Sequence, residues 1–395
     1  MTPGGRIAAA AQVLEQVREG QPAEACLTRW ARGARYAGSK DRAAVRDQVF
    51  QALRCRRSYA CLGGAATGRG LMIGALRAAG TEPAEIFTGE GHAPAPLSAA
   101  EARAGQAPTR EGDRLDLPDW LVPLFRSALG GQAEATALAL RARAPVILRV
   151  NLRMNTVAQA IEKLDQDGIE AERVPIAATA LRVVSGARRV AGSAAYQEGG
   201  VELQDGSSQA AVAALDAAPG RRVLDYCAGG GGKILALAAR RDGDWFAHDA
   251  DAGRMRDLPA RAARAGVRVH CLPPGEAARH APYDLVLCDA PCSGSGTWRR
   301  APEAKWRLTP GRLAALAALQ ARILRKAESL VAPGGTLAYA TCSILSEENE
   351  EQITKFIEET YGWTAFFMQR WPIGAEGDGF FLAQLKRTGD PDAQP

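Results

Sequence analysis

The feature that most constrains the fold is a regular alternation of strand and helix patterns from about residue 206 onward. Short apolar runs typical of buried strands alternate with helical periodicity, including a long helix predicted between Thr309 and Leu330. The strands are predicted at Arg222–Tyr226, Trp245–Asp249, Val267–Cys271, Asp284–Cys288, Thr336–Thr341, Thr364–Phe367 and Phe380–Leu385. This alternation predicts an α/β fold with a doubly wound, mostly parallel sheet.

Two regions of different character precede the predicted sheet. Residues 1–140 have helical patterns and predict an all-α domain, whereas residues 141–205 combine strand-like and helical runs and predict a small α/β module. The sheet domain would then occupy residues 206–388, followed by a tail at 389–395. A chain of 395 residues with 47% hydrophobic content is long enough for two or three domains.

Positive charge is concentrated in the predicted helical domain. Nine cations and two acids lie between Arg29 and Arg57, so this segment alone has a charge of +7, which exceeds the net charge of +5 of the whole chain. Such a local basic face predicts a polyanionic partner such as a nucleic acid. The alternative is an ordinary solvated helix surface.

The cysteines and histidines do not form a pattern that binds metal. None of the eight cysteines forms a C-x-x-C pair, and the four histidines do not cluster with them. No signal peptide and no apolar run of about 20 residues is visible, so we expect a cytoplasmic protein with reduced thiols and no membrane span. The sequence does not define the oligomeric state, and we take a monomer as the simplest expectation.

A glycine-rich turn follows the first strand of the predicted sheet. The strand contains Asp225, the turn that follows contains four successive glycines, and Lys233 comes directly after them where the next helix begins. Glycines let a backbone pass close to a ligand, and Asp249, at the end of the next strand, could accept ribose hydroxyl protons. This pattern predicts an adenosine-type cofactor without separating nicotinamide nucleotides from S-adenosylmethionine.

Two cysteines follow directly on core strands of the predicted sheet. Cys292 lies in Asp-Ala-Pro-Cys after one strand, and Cys342 lies in Ala-Thr-Cys-Ser after another. If these strands are neighbours, both sulfurs could face one planar substrate ring. A core strand that leads into Asp-x-Pro-Cys has no use in hydride transfer, whereas base methylation needs such a loop to hold a flipped base.

Several motifs together resemble the Rsm/Nop (Sun-type) RNA cytosine carbon-5 methyltransferases, closest to the bacterial 16S rRNA members. The resemblance covers roughly residues 145–385. It rests on the glycine turn ending at Lys233, on Asp-Ala-Pro-Cys-Ser-Gly-Ser-Gly from Asp289, on Arg-Arg-x-Pro-Glu-x-Lys-Trp from Arg299, and on Thr-Cys-Ser with Glu-Asn near Cys342. It implies a class I methyltransferase with a Rossmann-like sheet, which binds S-adenosylmethionine and acts on RNA, with small-subunit rRNA as the expected substrate.

The resemblance also implies roles for individual residues. Cys342 would add to carbon-6 of cytosine and so activate carbon-5, because the unmodified ring is too weak a nucleophile. Cys292 would assist product release, Asp289 would hold the base edge, and Lys233 would support the charges around them. The implied cofactor contacts are Asp225, Cys227, Ala228, Gly229, Gly230, Gly231, Gly232, Lys233, Asp249 and Asp289.

Four arginines are candidates for contacts with RNA phosphates. Arg149 and Arg153 lie at one end of a predicted strand, and Arg299 and Arg300 flank the predicted active loop. An ordinary surface origin is the alternative for each of them. Trp306, close by, is more typical of core packing than of a stacking platform.

The chain departs from the resembled family in two places. The usual Ala-Pro-Gly-Gly-Lys has lost its proline between Ala228 and Lys233, and His270–Gly275 lacks the acidic residue expected after the third strand. The departures leave open a ribosome-assembly factor that keeps the fold without turnover, although a binding module needs neither thiol. An exocyclic-amine methyltransferase is a further alternative, but its chemistry requires no nucleophilic thiol.

Overall fold

A computed structural model describes residues 1–215 and 220–387 and divides into two compact units. The first, here called the helical unit, comprises Met1–Arg143 and Trp298–Leu308. The second, called the sheet unit, comprises Ala144–Thr297 and the chain from Thr309 onward. The predicted tail at 389–395 lies outside the described residues.

Both units contain helices. In chain order they are α1 (Pro3–Arg18), α2 (Ala23–Gly33), α3 (Ser39–Arg54), α4 (Arg56–Gly63), α5 (Gly68–Ala78), α6 (Ala99–Arg103), α7 (Glu111–Leu115), α8 (Leu121–Leu129), α9 (Ala133–Ala139), α10 (Val157–Gln166), α11 (Ala194–Gln197), α12 (Gly206–Ala214), α13 (Gly232–Ala238), α14 (Leu258–Arg264), α15 (Pro302–Arg307), α16 (Pro310–Glu328) and α17 (Glu350–Glu359). None of these described helices is long and apolar enough to cross a bilayer.

The strands belong to the sheet unit. They are β1 (Ile147–Val150), β2 (Ala171–Arg173), β3 (Ala180–Val183), β4 (Val201–Leu203), β5 (Arg222–Asp225), β6 (Asp244–His248), β7 (His270–Leu272), β8 (Tyr283–Asp289), β9 (Val331–Thr341), β10 (Trp363–Trp371) and β11 (Phe380–Arg387). The first four form an antiparallel sheet in the order β2-β3-β1-β4.

The large sheet confirms the predicted doubly wound architecture. Its order is β10-β11-β9-β8-β5-β6-β7, with parallel pairing from β9 to β7 and antiparallel pairing of β11 with both β9 and β10. The parallel strands are buried because helices cover both faces, so their sequences read as continuous apolar runs. The strand order reverses between β5 and β8, and ligands bind at the carboxyl ends of strands beside such a reversal.

The helical unit has its own core and includes a segment from the middle of the sheet-forming sequence. Ile73, Val45 and Val49 are fully buried between its first five helices. Trp298 is also buried and lies against Phe125, with ring centroids 6.1 Å apart. The sequence predicted Trp298–Leu308 to lie inside the sheet domain, but the segment belongs to the helical unit, where Trp298, Lys305 and Leu308 are buried.

Candidate active site

Four functional side chains predicted from the sequence lie at the carboxyl ends of neighbouring strands. Asp225 ends β5 and Asp289 ends β8, while Cys342 follows β9 directly. β8 and β9 pair in parallel with Asp289 opposite Ala340, which places the two following loops side by side. The Sγ atoms of Cys292 and Cys342 are 3.4 Å apart, so the structure brings the two predicted thiols together.

The pKa values of the two thiols are shifted in opposite directions. The pKa of Cys342 is lowered, first by a hydrogen bond from the Cys292 thiol and then by the nearby Lys233 ammonium and the Thr297 hydroxyl, against the effects of burial and Asp289. The pKa of Cys292 is raised well above its usual value by that same bond and by burial. Of the two thiols, Cys342 therefore loses its proton more readily, and Cys292 holds its proton more tightly.

Lys233 is held charged at the centre of this site. Its Nζ atom lies 2.5 Å from Oδ2 of Asp289 and 5.0 Å from the ring centroid of Phe380. Burial alone would lower the pKa of this ammonium group, but Asp289 and Asp225 outweigh burial and raise it. A buried lysine with its own carboxylate stays protonated at neutral pH.

The carboxylate of Asp225 lacks hydrogen bonds from the described residues that surround it in the site. This carboxylate is buried, and neither oxygen has a hydrogen bond of normal geometry among the described residues. Burial, and then the charge of Asp289, raise its pKa to about 7, although the Cys227 and Ile234 amides and Lys233 favour the ionised form. A buried acceptor without a good donor indicates a place for ligand groups.

The glycine turn is held by side chains from outside it. Gly229 and Gly231 have positive φ angles of 50° and 78°, which suit glycine, and the Gly229 amide donates to Asp249 at 2.9 Å. The Gly230 carbonyl accepts from Arg261, and the Gly232 carbonyl accepts from Arg149 at 2.8 Å. These bonds rigidify a turn whose sequence lacks the proline of the resembled family.

A buried polar frame fixes the two thiol-bearing loops. The Glu348 carboxylate is fully buried and accepts from the Ser293 amide at 2.7 Å and from Gln320 Nε2 at 3.1 Å. Asn349 Nδ2 donates to the Ser343 carbonyl at 2.9 Å on the neighbouring loop. This frame orients the loops that carry Cys292 and Cys342.

The four arginines predicted to contact RNA differ in their exposure to solvent. Arg149 and Arg299 are each only 4% exposed, which argues against phosphate contacts for these two. Arg149 is turned inward by bonds to Gln204 and the Gly232 carbonyl. Arg300 and Arg153 are exposed, and Arg153 is bonded to Asp242 and to the backbone carbonyls of Ala238 and Arg241.

Several contributors to the site were missed by reasoning from the sequence. Phe380, Gln320 and Arg261 reach it from distant parts of the chain, and no local pattern distinguishes them from core or surface residues. After β7, where an acidic residue was expected, the Gly275 amide faces His248 Nε2 at 3.4 Å. Within residues 1–215 and 220–387, no cluster of three or more His, Cys, Asp or Glu side chains could hold a metal ion.

Comparison with known families agrees with the position of the site. Residues 212–386 match a family described as 16S rRNA methyltransferase RsmB/F, and residues 117–189 match its ferredoxin-like domain. The first match spans the large sheet and all four predicted catalytic residues. The second spans the end of the helical unit and most of the small sheet.

Individual relatives extend this likeness along the chain. The Ribosomal RNA small subunit methyltransferase B of Xanthomonas campestris pv. campestris is 36% identical over 294 residues, which cover 69% of this chain and 66% of that protein. The crystal structure of PH0851 is 25% identical, covers 98% of this chain and 99% of its own, and has a TM-score of 0.74. A methyltransferase homologue from Pyrococcus horikoshii is 27% identical over 69% of this chain and 96% of its own, with a TM-score of 0.59.

Proposed function

Because the chain belongs to the RsmB/F family, we propose that it is an S-adenosylmethionine-dependent methyltransferase that makes 5-methylcytosine in RNA. The observation that carries this proposal is the pair of thiols 3.4 Å apart, of which Cys342 has the lowered pKa. The site lies at the strand-order reversal of a doubly wound sheet, where ligands bind. A binding module would need neither thiol, so the assembly-factor alternative leaves the pair unexplained.

The residues at the end of β5 suit S-adenosylmethionine. This cofactor, when bound, supplies a methyl group from a sulfonium centre. The incompletely bonded, buried Asp225 carboxylate could accept from cationic or hydrogen-bonding groups of such a ligand. The turn from Cys227 to Gly232 offers close backbone approach, and Asp249 would accept ribose hydroxyl groups.

Cys342 would act as the nucleophile. Its thiolate would form a bond to carbon-6 of cytosine, and the resulting enamine makes carbon-5 able to take the methyl group. Loss of the carbon-5 proton then restores the ring as the bond between carbon-6 and sulfur breaks. The lowered pKa of Cys342 supports this role because only the thiolate adds efficiently.

Cys292, Asp289 and Lys233 would assist that cycle. Cys292 keeps its proton beside the Cys342 sulfur, so it would support release of the methylated base. Asp289 would bond the polar edge of cytosine and stabilise the added form. Lys233, paired with Asp289 at 2.5 Å, would fix the position of that carboxylate and favour the Cys342 thiolate.

The substrate would be RNA, most simply small-subunit rRNA. The Xanthomonas relative is named for that RNA, and this chain spans 66% of its length. A cytoplasmic location follows from that substrate. Arg153 and Arg300, which are at least partly exposed, remain candidates for phosphate contacts, whereas burial disfavours Arg149 and Arg299.

A trapping experiment tests the proposal. Wild type, Cys292→Ala and Cys342→Ala are incubated with S-adenosylmethionine and total RNA from a strain lacking the gene, and protein–RNA adducts are resolved on denaturing gels. We expect an RNA-linked band for Cys292→Ala, because release is blocked, and none for Cys342→Ala. Cys61→Ala is the matched control, since this half-buried thiol lies in the helical unit.

The outcomes separate the alternatives. The reverse pattern of adducts would exchange the roles of the two thiols. Absence of both adducts and methyl transfer with every variant would favour the assembly-factor alternative. Methyl transfer that survives in both Cys292→Ala and Cys342→Ala would favour exocyclic-amine methylation. Bisulfite sequencing of the same RNA would identify the methylated cytosine.

A further inference from the structure

The turn between α2 and α3 presents two side chains from a rigid base. Ala34 and Ala37 are buried, and the Ala37 amide donates to the Ala34 carbonyl at 3.0 Å. The two residues between them, Arg35 and Tyr36, are both exposed. The anchors on either side fix the turn, so these two side chains are presented outward at little further entropic cost.

Tyr36 forms part of a flat aromatic surface. Its side chain is 66% exposed and lies nearly parallel to the exposed ring of His92, with an interplanar angle of 10° and centroids 5.9 Å apart. His92 is held beside it because the neighbouring Ala93 packs against Gly4, where a Cβ atom would lie only 2.7 Å from that of Ala93. The two rings therefore present an aromatic face to solvent and not to the core of the helical unit.

The surroundings of Tyr36 are cationic. Arg32, Arg35, Lys40 and Arg42 are all exposed, and no hydrogen bond or ion pair joins their charged groups to the described part of the chain. The acid within this stretch, Asp41, is bonded to the Met1 amino group and to Arg6 instead. The turn therefore combines four available positive charges with an open aromatic face.

We propose that this turn is a stacking site for an unpaired base of the substrate RNA, with Tyr36 as the platform and the four surrounding cations as phosphate contacts. Aromatic faces that accept bases, set among cations that follow the backbone, are the usual means of binding single-stranded nucleic acid. The inference rests on the proposed function for the identity of the polyanion. It assigns the basic segment a specific contact beyond general electrostatic attraction.

A second exposed tyrosine provides the contrast. Tyr361 is 80% exposed, but Glu358 and Glu359 precede it and no cation lies in the same turn. It offers the same ring without the positive charge. Tyr361→Ala is therefore a matched control for Tyr36→Ala, since both remove an exposed phenol that contributes little to folding.

Equilibrium binding to a short single-stranded RNA and to the corresponding duplex tests the proposal. Tyr36→Ala should weaken single-strand binding by about 5- to 100-fold, the measured range for one stacked base, and Tyr36→Phe should bind as wild type. The duplex, whose bases are already stacked, should be affected little. Removing a charge with Arg35→Gln or Lys40→Gln should lower the salt dependence of binding by about 0.7 per contact.

The contradicting outcomes are distinct from failure of the proposed function. The proposal is overturned if Tyr36→Ala binds single strands as tightly as wild type, or loses no more affinity than Tyr361→Ala. It is also overturned if duplex and single strand lose affinity equally, or if only binding to an acidic protein is weakened. Failure of the proposed function would instead appear as wild type that binds RNA but neither forms adducts nor transfers methyl groups.

Discussion

Each of the two units contains a buried aspartate and a lysine with little exposure to solvent. The hydrogen-bond and ion-pair partners of these charged groups differ between the two units. In the helical unit, Asp116 is fully buried, accepts from the Arg57 and Ser58 amides, each at 2.9 Å, and from the Ser58 hydroxyl, and forms an ion pair with Arg141. In the sheet unit, Asp225 is equally buried but has no hydrogen bond of normal geometry among the described residues.

The lysines show the opposite arrangement. Lys233 in the sheet unit has the Asp289 carboxylate at 2.5 Å, whereas Lys305 in the helical unit donates to the Arg54 carbonyl at 3.2 Å. Burial lowers the pKa of Lys305 to about 8, even though Asp116 opposes this effect. A buried carboxylate that lacks hydrogen bonds and lies near a lysine, as Asp225 does, indicates a ligand site. A buried carboxylate whose hydrogen bonds are all made within the protein, as in Asp116, has a structural role.

The largest expected effect is on the rate of methyl transfer, which should depend strongly on Lys233 and little on Lys305. Lys233→Met should lower methyl transfer by about 10²–10³-fold, because it removes the cation that favours the Cys342 thiolate and neutralises Asp289. Lys305→Met, which replaces a buried cation that lacks its own carboxylate, should leave turnover within about twofold. Initial rates with saturating cofactor and RNA would measure both, and similar losses in the two variants would break the comparison.

The next effect separates the two aspartates by stability. Asp116→Asn should destabilise the protein by about 3 kcal/mol at neutral pH, because it breaks a buried ion pair and weakens the cap on the α4 amides. Asp225→Asn should cost little, or stabilise the ligand-free protein, because it removes an incompletely bonded buried charge. Chemical denaturation at neutral pH measures both changes in the free energy of unfolding.

The pH dependence of Asp225 sharpens that prediction. Its folded pKa of about 7 lies above the usual 3.8, so its contribution to stability is complete near pH 4 and is lost as the pH rises through 7. Wild type should therefore lose stability relative to Asp225→Asn between those values. A parallel course of the two unfolding curves would show that Asp225 is better solvated than its burial indicates.

The positions of the site residues in the fold could be predicted from the sequence, but the contrast between the buried charges of the two units could not. The strands that carry or precede Asp225, Asp289 and Cys342 were predicted from apolar runs, and Thr309 does cap the long helix by accepting from the Arg312 amide. These features depend on local periodicity and on the rule that parallel strands carry function at their carboxyl ends. The satisfaction of each buried charge depends on residues far apart in the chain, so periodicity carries no information about it.

The failures of prediction have the same physical origin. Arg149 on a short strand read as a surface cation, but its partners Gln204 and the Gly232 carbonyl come from more than 50 residues away. Trp298–Leu308 read as part of the sheet domain, yet Trp306 donates to the Leu53 carbonyl at 2.6 Å. The third strand was predicted at Val267–Cys271 and lies at His270–Leu272, where a short edge strand has only one neighbour to define it.

A third prediction concerns the pH dependence of the helical unit. The folded pKa of Lys305, about 8, lies below its usual 10.5, so between these values the unfolded chain binds the extra proton and folding becomes more favourable as the pH rises. Wild type should gain up to about 3 kcal/mol relative to Lys305→Met across this window. The measurement is the free energy of unfolding of both proteins at about pH 7.5 and about pH 10. A constant difference would mean that Lys305 is charged throughout, as Lys233 is.

The smallest expected effect tests whether the sheet unit preorganises its incomplete site. Arg261 donates to the Gly230 carbonyl and pairs with the buried Glu202, so it holds a turn that contains four glycines. Arg261→Gln should raise the KM for S-adenosylmethionine about tenfold by freeing that carbonyl, with a much smaller change in kcat. Arg264→Gln is the matched control, because Arg264 pairs with the same Glu202 without contacting the turn. If both variants raise KM equally, Glu202 rather than the turn is the source of the effect, and the backbone beside Asp225 is rigid without Arg261.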